Sequence, residues 1–237
     1  HLLGVEHRQP VERQHERRGG HHRTVHDRPQ TQSLEEGEGQ RHERGAQLAE
    51  VDARDPERDA AGREATATAV ATGALRYFMM KFGRTRIITF DMEEALAFTG
   101  ETGPYVQNAV VRARNIFGKL EAEGHRVADL LARARSFNLG AFLSGEEGDE
   151  VWSLLLLMAR SEEVAEQAIR AEDVALVAKH AFAVAQAFHS YYQKPRYSLL
   201  YAETEDLRAC RTLVVDAFVR QMEVLLGLLG IPVPERM

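Results

Sequence analysis

Five polar side chains on one predicted helix carry the clearest chemistry in the sequence. Tyr105, Asn108, Arg112, Asn115 and Lys119 recur at spacings of three and four residues, which places them on one face of an α-helix. An aromatic ring can stack on a nucleic-acid base, an amide can hydrogen-bond to the edge of a base, and a cation can neutralise a phosphate. An ordinary solvated helix surface has the same spacing, so the stripe alone leaves both interpretations open.

The helix that positions this stripe has a defined start and an apolar opposite face. Gly100 and Gly103 predict a loop, Thr102 is a suitable N-cap, and Pro104 suits the first helical turn, where its missing N–H costs nothing. The helix is therefore predicted to begin near Pro104. Its inner face is predicted to contain Val106, Ala109, Val110, Ala113, Ile116, Phe117 and Leu120.

Helical periodicity continues through the rest of the chain and predicts an all-α bundle of six to eight helices without a sheet. Residues 86–90 are predicted to form a short extended piece before a short helix. Residues 145–150, GEEGDE, are predicted to form a surface loop whose Asp149 caps the next helix. Further helices are predicted at residues 60–82, 126–137 and 172–193, from Ser161 onward, and from Thr204 to a stop at Gly230 and Pro232.

Composition limits the classes of function. The formal net charge of −6 over 237 residues argues against binding nucleic acid by bulk attraction, so a local basic patch would have to supply any RNA contact. The single cysteine, Cys210, excludes an internal disulfide and a multi-cysteine zinc site, and we expect it in the core. The longest apolar runs fall short of the roughly 20 residues that cross a bilayer. We therefore expect no membrane association.

Residues 1–45 differ from the rest in being polar, rich in His, Arg and Glu, and free of aromatic residues. We expect this segment to be disordered, or to be non-native coding sequence left by truncation or a frame shift. Sequencing the parent locus tests the second idea, which an intact reading frame would exclude. Metal binding is not expected at its histidines, because coil does not supply a fixed ligand geometry. They include His15, His21, His22 and His26.

A longer motif surrounds the start of the stripe. It reads FxGxTxPYxQxAxxR and comprises Phe98, Gly100, Thr102, Pro104, Tyr105, Gln107, Ala109 and Arg112. This motif resembles the segment that opens the anticodon-binding (DALR) domain of arginyl-tRNA synthetase, a class I aminoacyl-tRNA synthetase. GALRYFMMKF (73–82), AFHSYYQ (187–193) and LLGLLGIPVPERM (225–237) extend the resemblance over roughly residues 60–237.

The resemblance implies an all-α anticodon-binding helical bundle preceded by a disordered segment. The chain would then divide into a disordered or non-native part (1–45), a junction helix with a remnant of the catalytic-domain side (46–97), and the bundle itself (98–237).

The resemblance also implies roles on the central helix. Tyr105 would stack on a base of the anticodon loop, while Gln107 and Arg112 would hold the loop or its phosphates. Asn108 stands where the family commonly has a second tyrosine, and we expect it to hydrogen-bond instead.

Two further places are implicated by the same resemblance. Either Tyr191 or Tyr192 would supply another ring, with the alternative that both tyrosines simply close the end of the bundle. Arg236 and Met237 would contact the anticodon loop from the C-terminal tail, although by chemistry alone a frayed tail is the ordinary expectation.

The implied function is recognition of the tRNA anticodon, with arginine isoacceptors as partners, within an arginine–tRNA ligase. The complete enzyme would use ATP and Mg²⁺ to activate arginine. This chain shows no HIGH-like or KMSKS-like motif, so no catalytic residue, metal or cofactor is assigned and we expect no activity from it alone. A cytoplasmic monomer is expected. The alternatives are a helical protein-interaction domain and the anticodon domain of another class I synthetase, such as the cysteinyl enzyme.

Overall fold

The computed structural model describes residues 60–237, which form nine α-helices and one 3₁₀ turn and include no β-strand. The segment predicted to be disordered, 1–45, and residues 46–59 lie outside the described part. The helices are α1 (Ala60–Met80), α2 (Met92–Leu96), α3 (Gly103–Ala122), α4 (Val127–Ser136), α5 (Leu139–Phe142), α6 (Glu146–Ala159), α7 (Ser161–Ala171), α8 (Ala175–Tyr192) and α9 (Glu205–Leu228), with the 3₁₀ turn at Pro195–Tyr197.

The all-α prediction is confirmed for the described residues, and both predicted N-caps form. Thr102 Oγ1 accepts a hydrogen bond from the Tyr105 amide at 3.3 Å, and Pro104 follows in the first turn of α3. Thr204 caps α9 in the same way, accepting from the Leu207 amide at 3.1 Å. These contacts satisfy helix N–H groups that have no partner within the helix.

The prediction of a surface loop at residues 145–150 is wrong, because α6 begins at Glu146. Gly145 precedes it with φ of 109°, a backbone conformation that glycine adopts without strain. Glu146, Glu147 and Asp149 all lie in the first turn, where the helix dipole favours acids. Asp149 is therefore inside the helix and does not cap it.

Two smaller differences concern short elements. Residues 86–90 form no regular secondary structure, and α5 lies in a stretch for which no helix was predicted. The described residues thus contain nine helices where six to eight were predicted. The short helix expected after residues 86–90 is present as α2, whereas the four-residue α5 is too short to show a period in the sequence.

The core lies between α3, α8 and α9. The fully buried rings of Phe188 on α8 and Phe218 on α9 stack with centroids 3.7 Å apart. Cys210 is buried on α9, as expected. Helix α1 packs closely on α3: a Cβ at Gly103 would lie 2.2 Å from the Gly73 carbonyl oxygen, so glycine is required at this crossing. This crossing sets the position of the first turn of α3.

A buried ion pair closes the end of the bundle. The Arg211 guanidinium on α9 donates to both Glu147 carboxylate oxygens at 2.7 Å, and to the carbonyl oxygens of Ser198 and Arg196 at 2.8 and 2.9 Å. Tyr191 donates its hydroxyl to the same carboxylate at 2.9 Å. The first turn of α6, the end of α8 and the following loop are thereby joined to α9. None of the described helices is long and apolar enough to span a membrane.

Candidate functional site

Helices α3 and α8 lie side by side and bring aromatic rings from both onto one surface. The Tyr105 ring contacts Phe182 at a centroid distance of 5.2 Å and meets His189 edge-on at 4.9 Å. Further along, the Arg112 guanidinium lies 6.0 Å from the centroid of the Tyr192 ring. We call Tyr105, Asn108, Arg112, His189 and Tyr192 the Tyr105 surface.

The predicted members of this surface are open to solvent to different degrees. Arg112 is exposed, whereas Tyr105, Asn108 and Tyr192 are partly exposed. Asn115 and Lys119, the next positions of the α3 stripe, are exposed as well. The structure therefore brings the predicted Tyr105, Asn108 and Arg112 together with Tyr192, and α3 extends the surface with one more amide and one more cation.

The polar groups of the Tyr105 surface have no polar partners in the part of the chain that the structure describes. No carboxylate there forms an ion pair with Arg112 or Lys119, and the Tyr105, Asn108 and Tyr192 side chains make no hydrogen bond. Most other arginines between residues 60 and 237 are paired with acids. These pairs include Arg84–Glu172, Arg114–Glu223, Arg133–Asp206, Arg170–Glu166, Arg196–Glu146 and Arg220–Asp216.

Burial favours the uncharged forms of Tyr105 and His189. It raises the pKa of Tyr105, an effect that the nearby Arg112 charge partly opposes. Burial, with a further contribution from Arg112, lowers the pKa of His189 to about 4. The surface thus presents neutral rings beside the fixed charge of Arg112, a combination suited to bases and phosphates.

Gln107 lies outside this surface, and its expected contact with RNA stays a prediction. Its side chain is fully buried, and Nε2 donates to the carbonyl oxygens of Ala69 at 2.9 Å and Pro232 at 2.6 Å. Position 107 faces α1 and the C-terminal tail, one step around the helix from Asn108. Its amide therefore joins α3 to α1 and the tail, and it has no surface to offer a ligand.

The two tyrosines at the end of α8 have separate roles. Tyr191 is 2% exposed, its hydroxyl is bonded to Glu147, and its ring stacks on Tyr197 at 5.3 Å. Burial raises the pKa of Tyr191. Tyr191 therefore closes the end of the bundle in this structure, and its stacking on a base stays a prediction. Tyr192 points its ring to the Tyr105 surface.

The C-terminal tail is anchored next to α3. Ile231 and Pro234 are buried, and Pro232 accepts the Gln107 hydrogen bond. Arg236 is exposed and Met237 is half-buried. Their contact with an anticodon loop stays a prediction.

The sequence did not indicate a binding role for His189 or Phe182, two residues whose rings contact Tyr105. Both lie on α8, seven residues apart, and both touch Tyr105. Seven residues are close to two helical turns, so the two rings share one face. That spacing was the available signal, but nothing in it indicates that α8 packs beside the start of α3.

Among the described residues, no three His, Cys, Asp or Glu side chains are grouped so that they could hold a metal ion. The chemistry of the Tyr105 surface is binding: stacking, hydrogen bonding and charge neutralisation.

Most of this chain is similar in sequence to known arginine–tRNA ligases. An arginine–tRNA ligase from Methanopyrus kandleri is 31% identical over 175 residues, which cover 74% of this chain and 27% of the relative. An arginine–tRNA ligase from Clostridium acetobutylicum is 32% identical over 188 residues, covering 79% of this chain and 30% of the relative. The chain thus spans less than a third of the length of these relatives.

A solved structure agrees with these relatives. Thermus thermophilus arginyl-tRNA synthetase superposes with a TM-score of 0.65 at 28% identity, over 82% of this chain and 31% of that one. The sequence pattern of the family described as "DALR anticodon binding domain" matches residues 106–237, from the first turn of α3 to the last residue. Over half of the sequence is covered by that match, and the chain belongs to the DALR anticodon-binding domain family.

Proposed function

We propose that this chain binds the anticodon region of tRNA through the Tyr105 surface. The observation that supports this most directly is the gathering of a stackable ring, an amide and a guanidinium, none of them engaged by another polar side chain of the described residues. Single-stranded RNA is recognised by stacking of its splayed bases and by hydrogen bonds to their edges. The chain carries a net charge of −6, so binding depends on this local surface.

The names of the relatives support a narrower proposal, that the bound tRNAs are arginine isoacceptors and that the chain serves an arginine–tRNA ligase. The rest of such an enzyme would bind ATP and Mg²⁺ and activate arginine. No three His, Cys, Asp or Glu side chains of the described residues are grouped to hold a metal ion, and no chemical step is assigned to these residues. We propose that the chain acts as a monomer in the cytoplasm. Arg236 and Met237 are proposed to contact the loop from the tail.

Replacing Tyr105 with alanine is expected to weaken tRNA binding by about 1–3 kcal/mol, the range for one lost stack between a base and an aromatic ring. Filter binding of the variant, checked for helix content by circular dichroism, measures the loss. Tyr105→Phe should retain the ring and most of the affinity. Tyr201→Ala, at a tyrosine 82% exposed in the loop before α9, is the matched control and should bind normally. Unchanged binding by folded Tyr105→Ala would exclude the stacking role.

Arg112→Ala tests the phosphate contact separately. We expect weaker binding and a plot of log affinity against log salt that is shallower by about one unit, because one fewer counterion is released. Arg170→Ala, which removes an exposed arginine paired with Glu166, serves as the charge-matched control and should leave the slope unchanged. An equal slope for wild type and Arg112→Ala would contradict a phosphate contact at this position.

The whole proposal is tested by binding the full chain to total tRNA at two salt concentrations and sequencing the retained RNA. Enrichment of arginine tRNAs, with affinity falling steeply with salt, is the expected result. Enrichment of a different tRNA would point to another class I synthetase. A partner captured without salt dependence would favour the protein-interaction alternative, because packed protein interfaces do not release phosphate counterions.

A further inference from the structure

His189 is a buried polar residue at the centre of the Tyr105 surface. It lies on α8, is 6% exposed, and its Nε2 atom has no hydrogen-bond partner among residues 60–237. Buried polar atoms in native proteins are nearly always paired, so an unpaired one calls for an explanation.

His180, nine positions earlier on the same helix, shows how a histidine of the core is ordinarily satisfied. It is 8% exposed, and its Nε2 lies 2.9 Å from Ser161 Oγ. The Ser161 hydroxyl donates to the Met158 carbonyl at 2.7 Å, so His180 Nε2 donates to Ser161 Oγ. Two histidines with nearly equal burial on one helix thus differ in whether the Nε2 atom has a hydrogen-bond partner among the described residues.

The protonation state of His189 determines which kind of group the unpaired nitrogen can bind. Burial, helped by Arg112, lowers its pKa to about 4, so the imidazole is neutral at physiological pH. A neutral ring donates through one nitrogen and accepts through the other. It can therefore form one directional hydrogen bond with a neutral group and has no net charge with which to attract phosphate.

The Tyr105 ring is the group that covers His189, with ring centroids 4.9 Å apart and planes at 89°. The Tyr105 side chain is held by packing against the core, including ring contacts with His189 and Phe182, because its hydroxyl has no hydrogen-bond partner in the described part of the chain. Tyr105 is also partly exposed. A rotation of this side chain toward solvent breaks no side-chain hydrogen bond and would uncover the His189 ring against which Tyr105 packs.

We propose that His189 is an RNA-binding residue: Nε2 forms a hydrogen bond with the base edge or ribose hydroxyl of the nucleotide that stacks on Tyr105. This inference rests on the proposed tRNA-binding function. Stacking turns the Tyr105 ring outward, and the nucleotide then supplies the partner that Nε2 lacks in the free chain. His189 thereby couples the position of Tyr105 to the presence of RNA.

The test compares His189→Leu with His180→Leu in the full chain, measuring affinity for an arginine tRNA transcript and thermal unfolding without RNA. His189→Leu should bind about threefold to tenfold more weakly, the equivalent of one net hydrogen bond. Its unfolding temperature should stay equal or rise, because the unpaired nitrogen is gone. His180→Leu should bind like wild type. His189→Gln, which places an amide near the former Nε2, should recover part of the affinity.

The outcomes separate the two proposals. Wild-type affinity in His189→Leu, or an affinity that falls only together with thermal stability, would overturn the role of His189 while leaving tRNA binding intact. Failure of the wild-type chain to bind tRNA would overturn the proposed function and this inference together. A tRNA with deoxyribose in the anticodon loop identifies the bonded group: the His189→Leu effect disappears if the partner is the ribose hydroxyl and persists if it is a base edge.

Discussion

Replacing Arg211 with alanine is expected to lower the free energy of unfolding by about 3–5 kcal/mol, because it leaves the Glu147 carboxylate partly buried without its cation. The Arg211 side chain is 5% exposed and that of Glu147 is 17% exposed. The substitution also removes the donors to the Ser198 and Arg196 carbonyl oxygens. Urea unfolding followed by circular dichroism measures the change.

A matched control lies on the same helix. Arg220 forms an ion pair with Asp216 at 2.8 Å, but its side chain is 70% exposed, and Arg220→Ala should change stability by less than about 1 kcal/mol. Similar small losses in both variants would mean that water screens the Glu147–Arg211 pair as it does a surface pair. The hydrogen bonds of Arg211 and Tyr191 to Glu147 would then contribute little to the stability of the bundle end.

Gln107→Ala should lower the free energy of unfolding by about 2–4 kcal/mol, since it leaves a cavity and removes the donor to the Ala69 and Pro232 carbonyl oxygens. The fully buried Gln107 amide donates hydrogen bonds to Ala69 of α1 and to Pro232 of the C-terminal tail. Its loss should therefore also detach residues 231–237 from α3. Denaturant unfolding measures the first effect, and limited proteolysis of the tail measures the second.

Asn108→Ala is the control for this substitution. Asn108 is adjacent on α3 and half-exposed, and its side chain makes no hydrogen bond in the described part of the chain. Its replacement should therefore change the free energy of unfolding by at most about 0.5 kcal/mol. If Gln107→Ala kept its stability and lost tRNA affinity instead, Gln107 would be an RNA ligand that the free structure hides.

The helices were predictable where they carry long periods and clear signals at their ends. Thr102, Pro104 and Thr204 mark starts that depend only on neighbouring residues, and the structure has caps at both threonines. The GEEGDE segment was misread because glycines and acids are common in loops as well as in first helical turns. Its helical state depends on Glu147 meeting Arg211, which lies 64 positions further along the chain.

The candidate site also has a part that was predictable from local sequence and a part that depends on distant contacts. Helical spacing was sufficient to place Tyr105, Asn108 and Arg112 on one face, because that relation is local to α3. It did not distinguish Gln107 or Tyr191, which are polar and lie within the motifs, from residues that reach solvent. Their burial follows from contacts with Pro232 and Glu147, which are distant in sequence.

The amino-acid sequence by itself thus determined the all-helical fold, the start of α3 and the family resemblance, because each depends on local periodicity, capping or a contiguous motif. Only the tertiary structure decided that α8 lies beside α3, that Tyr192 and not Tyr191 joins the Tyr105 surface, and that His189 lies unpaired beneath Tyr105. The physical reason is that packing between helices depends on side chains distant in sequence, and no local pattern encodes which faces meet.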